Sequence, residues 1–366
     1  MSLSLLPRRQ QGCHLKTTNL IFTPSIFDAL QFIVCRFGLN RGKNAVNPFG
    51  LTSILTRSQG KSATRNRGSD YYRNPMGENR NRIHFLNTGM SDCILLESNG
   101  HFALIDAAED TDFPADKPHL NTGGYEQLVV DYLLNNCRGA DGTVYLDFVL
   151  GTHAHSDHIG GFDTVILHPE ICVGGAYLRP YDERNVFIME RRRWDNTEVY
   201  NQMLDALTKT KTPVYTDFDG KTVEMGDLSI TFYYCGQGSE KSIFNYGENI
   251  HTVVTLVECN GTKILLAGDM NYKAGDERRI AKKVGKVNLL KVGHHGVFGS
   301  TSSHFLRKIS PDIAVVTNSY KRIFPDVRLR LRRSNVELHT TVEENGIIAT
   351  IGANGEIKLK TDIHHE

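Results

Sequence analysis

From residue 82 onward the chain alternates short apolar runs with turn residues. Runs at 83–87, 93–97 and 101–106 have the length and the apolar content of strands. Asn99-Gly100 joins the last two as a two-residue hairpin. Gly123-Gly124 precedes a helix with apolar positions Leu128, Val129, Tyr132 and Leu133, and residues 145–150 read as the next strand. A helix after Gly161 leads into Val165-Ile166-Leu167, and a longer one at 196–209 carries Val199, Tyr200, Met203, Leu204 and Leu207 on one face. Strands follow at 228–234, 252–258 and 263–267, then a helix at 274–284 and a strand at 288–292. A helix at 303–309 and a strand at 313–316 come next, and 346–351 with 355–359 close the chain as an edge hairpin. Two β-rich halves, each with helices outside, predict an α/β sandwich of two sheets flanked by helices.

Residues 1–80 break this pattern. They are rich in Arg, Asn, Ser and Gly, and hold 12 Lys/Arg against three acids, whereas the remainder holds 30 against 38. Their apolar stretch, 21–39, is interrupted by Pro24, Asp28, Gln31 and Arg36, which rules it out as a membrane span. Helical spacing of Ile26, Phe27, Leu30, Ile33, Val34 and Phe37 allows an amphipathic helix at 26–37. We expect a basic, mostly disordered leader at 1–80 and one domain at 81–362. Within that domain, 169–212 reads either as an insertion that shapes a substrate pocket or as a packed surface helix with a solvated basic run, Glu190-Arg191-Arg192-Arg193-Trp194. The seven cysteines are scattered and form no CxxC pair, which points to reduced thiols in the cytoplasm. A mildly acidic body does not favour nucleic acid as its partner.

The chemistry gathers at Gly151–Gly161, which reads GTHAHSDHIGG after an apolar run. His153 and His155 are two apart, so on extended backbone they point the same way and can grip one ion. Asp157 and His158 lie where the chain bends and can turn toward a second. Asp269 and the pair His294 and His295 also follow apolar strands through a glycine. Each is weak alone, but together they supply the groups of one two-ion centre. Imidazole and carboxylate without thiolate suit a catalytic divalent ion, zinc first and manganese next.

The spacing His-x-His-x-Asp-His resembles the signature of the metallo-β-lactamase fold superfamily. LIDAAED, ILLAGD and LLKVGHHG, with Ser300 and Ser302 beyond, resemble the soluble hydrolase domain of ComEC-type competence proteins over residues 83–358. This resemblance implies a four-layer αββα sandwich with His153 and His155 on a first ion, Asp157 and His158 on a second, and Asp269 bridging them. It also implies that His294 or His295 completes the second site. We expect His294 as that ligand, with His295 and Asp157 as catalytic residues. By the same resemblance Asp106 would hold a histidine's outer N–H, and Asp92 would match the acid of the family's first motif. Two departures stand out. Relatives outside this branch place another first-site histidine where this chain has Glu248-Asn249-Ile250-His251, so His251 ligates or the first ion has fewer protein ligands. The Gly-His-Pro of the competence branch is replaced by Ile323-Phe324-Pro325. The expected function is a binuclear hydrolase of phosphoesters, in which two ions lower the pKa of a shared water and present hydroxide to the substrate. The rivals are a nuclease acting on DNA or RNA and a non-catalytic metal-binding module.

Overall fold

Alternate residues of the central strands face different cores, and this period of two stacks the layers. The computed structural model describes residues 80–237, 247–272 and 274–364, so the leader expected at 1–80, with its helix at 26–37, lies outside the described residues except for Arg80. Leu95, Leu104 and Val149 enter one buried cluster, while their neighbours Ile94, Leu96, Ile105, Phe148 and Leu150 enter another. Helices Glu126–Asn136, Phe162–Leu167 and Asn196–Thr210 complete the first cluster. The other is shared with Phe232, Val257, Ile264 and Leu266 of a facing sheet. Leu265 and Leu290 of that sheet turn outward, toward helices Asp276–Val284, Ser303–Ile309 and Pro325–Arg333. The layers therefore run helix, sheet, sheet, helix, which is the expected αββα sandwich.

The first sheet has the order Ile357–Thr361, Ile347–Ile351, Asn81–Phe85, Cys93–Ser98, His101–Ala107, Phe148–Gly151, Ala176–Leu178 and Val214–Tyr215. Its last three strands join in parallel and the others are antiparallel. The second runs Glu337–Thr340, Ile313–Val316, Leu289–Lys291, Thr262–Leu266, Val253–Cys259, Leu228–Tyr234 and Thr222–Met225, parallel from the first to the fourth. Parallel neighbours bring their carboxyl ends together, and the loops that leave those ends carry the histidines and Asp269. Val253 N donates to Thr152 O at 3.0 Å and so ties one sheet to the other at this edge.

Four local departures from the sequence reading have physical causes. The strand expected at 145–150 is broken. Val144–Leu146 pairs with Ile171–Val173 in a separate two-stranded sheet, and only Phe148–Gly151 enters the first sheet. Asp147 is the break: it is exposed, and its carboxylate accepts from His101 Nδ1 at 2.8 Å. The segment 169–212 is only partly an excursion, because Ala176–Leu178 is a strand of the first sheet. Helix Pro325–Arg333 went unread because its buried anchors, Val327 and Leu331, sit among four arginines. Of the closing hairpin, only Ile357–Thr361 is an edge; Ile347–Ile351 pairs on both sides. No helix among the described residues is long and apolar enough to cross a membrane.

Phe232 is fully buried between the sheets and meets the rings of Phe148, Tyr177 and Phe218. Phe232→Ala should destabilise the protein by about 3–5 kcal/mol, measured by urea unfolding. A loss below about 1 kcal/mol would mean that the two sheets do not share this core.

Candidate metal centre

Backbone conformation places the site residues before any side chain acts. His155 is extended at the start of the short helix Ser156–Ile159, so Asp157 and His158 follow on its first turn. Asp269 N is held by Thr252 Oγ1 at 3.1 Å. His294 and His295 lie in a tight turn with φ of +50° and +47°. L-residues rarely adopt this left-handed conformation, and each such residue costs on the order of 1 kcal/mol or more. Gly293 allows the turn to close, since a Cβ there would stand 2.6 Å from Met270 O. His294 N donates to Gly268 O at 3.0 Å, which fastens this turn to the loop of Asp269.

Each of four imidazoles has one nitrogen held by an outer oxygen. Asp106 Oδ2 accepts from His158 Nδ1 at 2.7 Å and from Thr152 Oγ1 at 2.7 Å. Because that hydroxyl donates to Asp106, its oxygen accepts from His153 Nδ1 at 3.1 Å. Thr317 Oγ1 donates to Asp92 Oδ1 at 2.6 Å and accepts from His295 Nδ1 at 3.1 Å. Glu190 Oε1 accepts from His155 Nε2 at 3.0 Å. The outer partners thus set the tautomer each neutral ring would adopt, as they do for metal-ligating histidines, so that His153 Nε2, His155 Nδ1, His158 Nε2 and His295 Nε2 are the nitrogens that would give up a proton to a metal.

These nitrogens all turn inward. His153 Nε2 lies 3.1 Å from His155 Nδ1 and 3.9 Å from Asp269 Oδ2. His158 Nε2 lies 3.2 Å from His295 Nε2 and 3.2 Å from Asp269 Oδ1. His295 Nε2 lies 3.3 Å from Asp157 Oδ2 and 3.4 Å from Asp269 Oδ1. Asp269 Oδ1 is buried and has no hydrogen-bond partner. Lone pairs facing one another at these distances require positive charge between them, and a cation at each focus would satisfy them. Among the described residues the donors form two separate compact groups, His153, His155 and Asp269, and Asp157, His158 and His295, while a third, Asp92, His158 and Asp269, overlaps both.

The electrostatics carry the same sign at two of these rings. Burial disfavours a charged His158, yet Asp269, Asp106 and Asp157 outweigh it and raise its pKa well above the usual value. Burial likewise opposes charge on His295, but Asp269 and Asp92 push it up to about 9. Burial would also raise Asp269, but His158, His295 and His294 hold it well below the usual carboxylate range. The surroundings thus favour positive charge on His158 and His295, whereas burial and the neighbouring His158 and His155 hold His153 well below the usual imidazole range.

The structure brings together His153, His155, Asp157, His158, Asp269 and both late histidines. His294 Nε2 stands 3.6 Å from Asp269 Oδ2, while His295 is the one grouped with Asp157 and His158. Asp106 holds an outer N–H, that of His158. His251 joins neither group. It sits in the turn 248–251, and burial together with Arg179 lowers its pKa to about 4. Asn249 of the same turn reaches the centre instead, with Oδ1 at 3.1 Å from His153 Nε2 and Nδ2 donating to His294 Nε2 at 2.9 Å. At the Gly-His-Pro position Phe324 takes the histidine's place, its ring 5.4 Å from that of Phe298 and its N donating to Gly296 O at 2.9 Å, while buried Ile323 packs near Gly296.

Three contributors escaped the sequence reading. Lys291, fully buried in a strand, makes an ion pair with Asp92 and donates to Gly268 O at 3.1 Å. Glu190 belongs to the run that read as solvated, yet it is buried against His155. Asn249 was visible in the sequence only as the start of 249–252, which resembles the Asn-x-x-Ser of the competence branch, and had no role there. Partners distant in sequence define the roles of all three.

Among curated proteins, the chain is similar to Recombination protein 2 of Haemophilus influenzae, 33% identical over 204 residues, covering 54% of this chain and 21% of that one. It is also similar to ComE operon protein 3 of Bacillus subtilis, 23% identical over 285 residues, covering 69% and 33%. Competence protein ComA of Neisseria gonorrhoeae is 26% identical over 225 residues, covering 59% and 27%. The chain thus spans about a fifth to a third of the length of the curated relatives it matches. No family model matches it. Similar solved structures include the metallo-β-lactamase fold protein YhfI of Bacillus subtilis, at 10% identity and TM-score 0.46, covering 77% of this chain and 100% of that one. Zn(2+)-bound PqqB of Methylobacterium extorquens, at 14% identity and TM-score 0.40, covers 68% and 84%. The fold is of the metallo-β-lactamase type, its curated relatives are competence proteins of the ComEC type, and its histidine and aspartate cluster is of a kind that holds metal.

Asp92→Asn would leave Lys291 buried without its counter-charge and should cost about 3–5 kcal/mol in a denaturant melt. Adding Lys291→Met should recover most of that loss. A double variant no more stable than Asp92→Asn would refute the pairing as the cause.

Proposed function

We propose that this metallo-β-lactamase-type chain is a hydrolase that holds two divalent ions, zinc or manganese, and cleaves phosphoesters. The convergence of His158 Nε2 and His295 Nε2 on the buried, unpartnered Asp269 Oδ1, with His153 Nε2 3.9 Å from the other oxygen, carries this reading. His153, His155 and Asp269 would hold the first ion, with Asn249 beside them. Asp157, His158, His295 and the second Asp269 oxygen would hold the other. When bound, the ions supply an acidified water and neutralise charge that develops on the substrate oxygen.

The remaining work falls to the chain itself. Asp106, Thr152, Thr317 and Glu190 keep protons on the outer nitrogens, so the inner ones stay available as donors of electron pairs. His294 has a side chain 15% exposed, against 2% for His295. His294 therefore takes the substrate-facing role, and His295 the ligand role, exchanging the parts that the sequence suggested. Asp157, with a side chain 25% exposed, is the most open carboxylate of the cluster and keeps its candidacy as a catalytic residue. The likeness to competence-type hydrolases supports a phosphoester over a lactone or amide. A nucleic acid is the second reading, favoured by relatives named for recombination and competence and by the basic composition of residues 1–80. The free thiols of Cys93, Cys137, Cys172, Cys235 and Cys259 support a reducing, cytoplasmic setting.

Wild type should carry two ions per chain by elemental analysis and hydrolyse bis-p-nitrophenyl phosphate. Asp269→Ala should lose metal and about 10³-fold in rate, the several kcal/mol that such ions supply. If wild type holds two ions yet matches Asp269→Ala on diesters, monoesters and lactones, the enzyme reading fails. Salt-sensitive binding of DNA that disappears on removal of residues 1–80 would favour the nucleic-acid reading.

A further inference from the structure

The segment 183–197 touches the metal centre through one carboxylate oxygen. Glu190 lies on helix Ile188–Arg193, between exposed Ile188, Met189, Arg191 and Arg192, yet its own side chain is buried. Its Oε1 accepts three N–H groups: His155 Nε2 at 3.0 Å, Asn196 Nδ2 at 3.0 Å and Glu248 N at 2.9 Å. These belong to the metal motif, to the start of helix Asn196–Thr210, and to the turn that carries Asn249. The other oxygen packs on Gly247, where a Cβ would stand 2.0 Å away and φ is +86°. From the same turn, the Glu248 carboxylate accepts from Ala154 N at 3.4 Å, between His153 and His155. One oxygen receiving three donors from three elements needs the full charge of a carboxylate.

We propose that Glu190 is a positioning residue for the first ion, and that docking of segment 183–197 and filling of that site favour one another. Its carboxylate keeps the His155 proton on Nε2 and so turns Nδ1 toward His153 and Asp269. The same oxygen clamps the 247–251 turn, which holds Asn249 against His153 where relatives outside the competence branch have a further histidine. An ion bound at the first site therefore stabilises the docked segment, and by reciprocity the docked segment tightens the ion. The inference rests on the two-ion reading and assigns this chain's compensation for its short set of first-site ligands.

Glu190→Gln keeps the shape and removes the charge. Zinc titration against a chromophoric chelator should show one of two ions bound roughly 10- to 100-fold more weakly, the other unchanged. Zinc should slow trypsin cleavage at Arg191–Arg193 in wild type and not in Glu190→Gln. Nitrogen NMR of the zinc-loaded wild type should place the His155 proton on Nε2 and leave Nδ1 to the ion, a readout that needs no variant to fold. Asn196→Ala, which cuts the clamp but spares His155, should weaken the first ion less than Glu190→Gln. A folded Glu190→Gln with both zinc affinities of wild type, or a zinc-loaded wild-type His155 protonated on Nδ1, overturns the proposal. A wild type that binds fewer than two zinc ions overturns the two-ion reading itself, and this inference with it.

Discussion

The structure depends on a crowd of electron pairs that cannot coexist without positive charge. Four imidazole nitrogens and the carboxylates of Asp157 and Asp269 meet within a few ångströms at the edge shared by two sheets. In a buried setting such a meeting is costly unless protons or metal ions sit between the groups. Much of the surrounding architecture serves to stop the imidazoles from relaxing away. Asp106, Thr152, Thr317 and Glu190 fix their outer nitrogens, so rotation of any ring would break a buried hydrogen bond.

The frame resists this repulsion in two ways. Lys291 brings a permanent cation to the base of the site, where Asp92 and Gly268 O anchor it. Asp92 in turn holds Thr317 and stands 3.4 Å from His295 Nδ1, so one ion pair orients a ligand that arrives from another strand. The left-handed conformations of His294 and His295 are the second. They persist because Gly293 and the bond from His294 N to Gly268 O leave the turn little freedom. Strain concentrated here is compensated by well-packed layers on either side.

The two departures from the related sequences acquire structural meaning. Asn249 supplies an amide where another histidine would stand, and it spans from His153 to His294. Ile323 and Phe324 bring apolar side chains to Gly296 at the sequence position where the competence branch has Gly-His. The segment 169–212 has a solvated face and a residue turned inward. It exposes Ile188, Met189 and two arginines, and it sends Glu190 inward.

The sequence by itself determined the layered sandwich and the histidines and aspartates that gather at its edge, because both rest on local rules. Period-two alternation, as in Ile94-Leu95-Leu96, assigns residues to layers, and GTHAHSDHIGG, Gly268-Asp269 and Gly293-His294-His295 place metal-type side chains just past strand ends. Local rules failed where a residue's neighbours are ambiguous. Asp147 inside an apolar run hid a strand break, and arginines around Val327 and Leu331 hid a helix. Only the tertiary structure decided which of His294 and His295 faces Asp157 and His158, since the choice follows from a strained turn and from Asp92 and Thr317 about 200 and 20 residues away. It also drew Lys291, Asn249 and Glu190 into the centre. Their chemistry is ordinary in sequence, and it becomes specific only when folding removes water and leaves each with one partner.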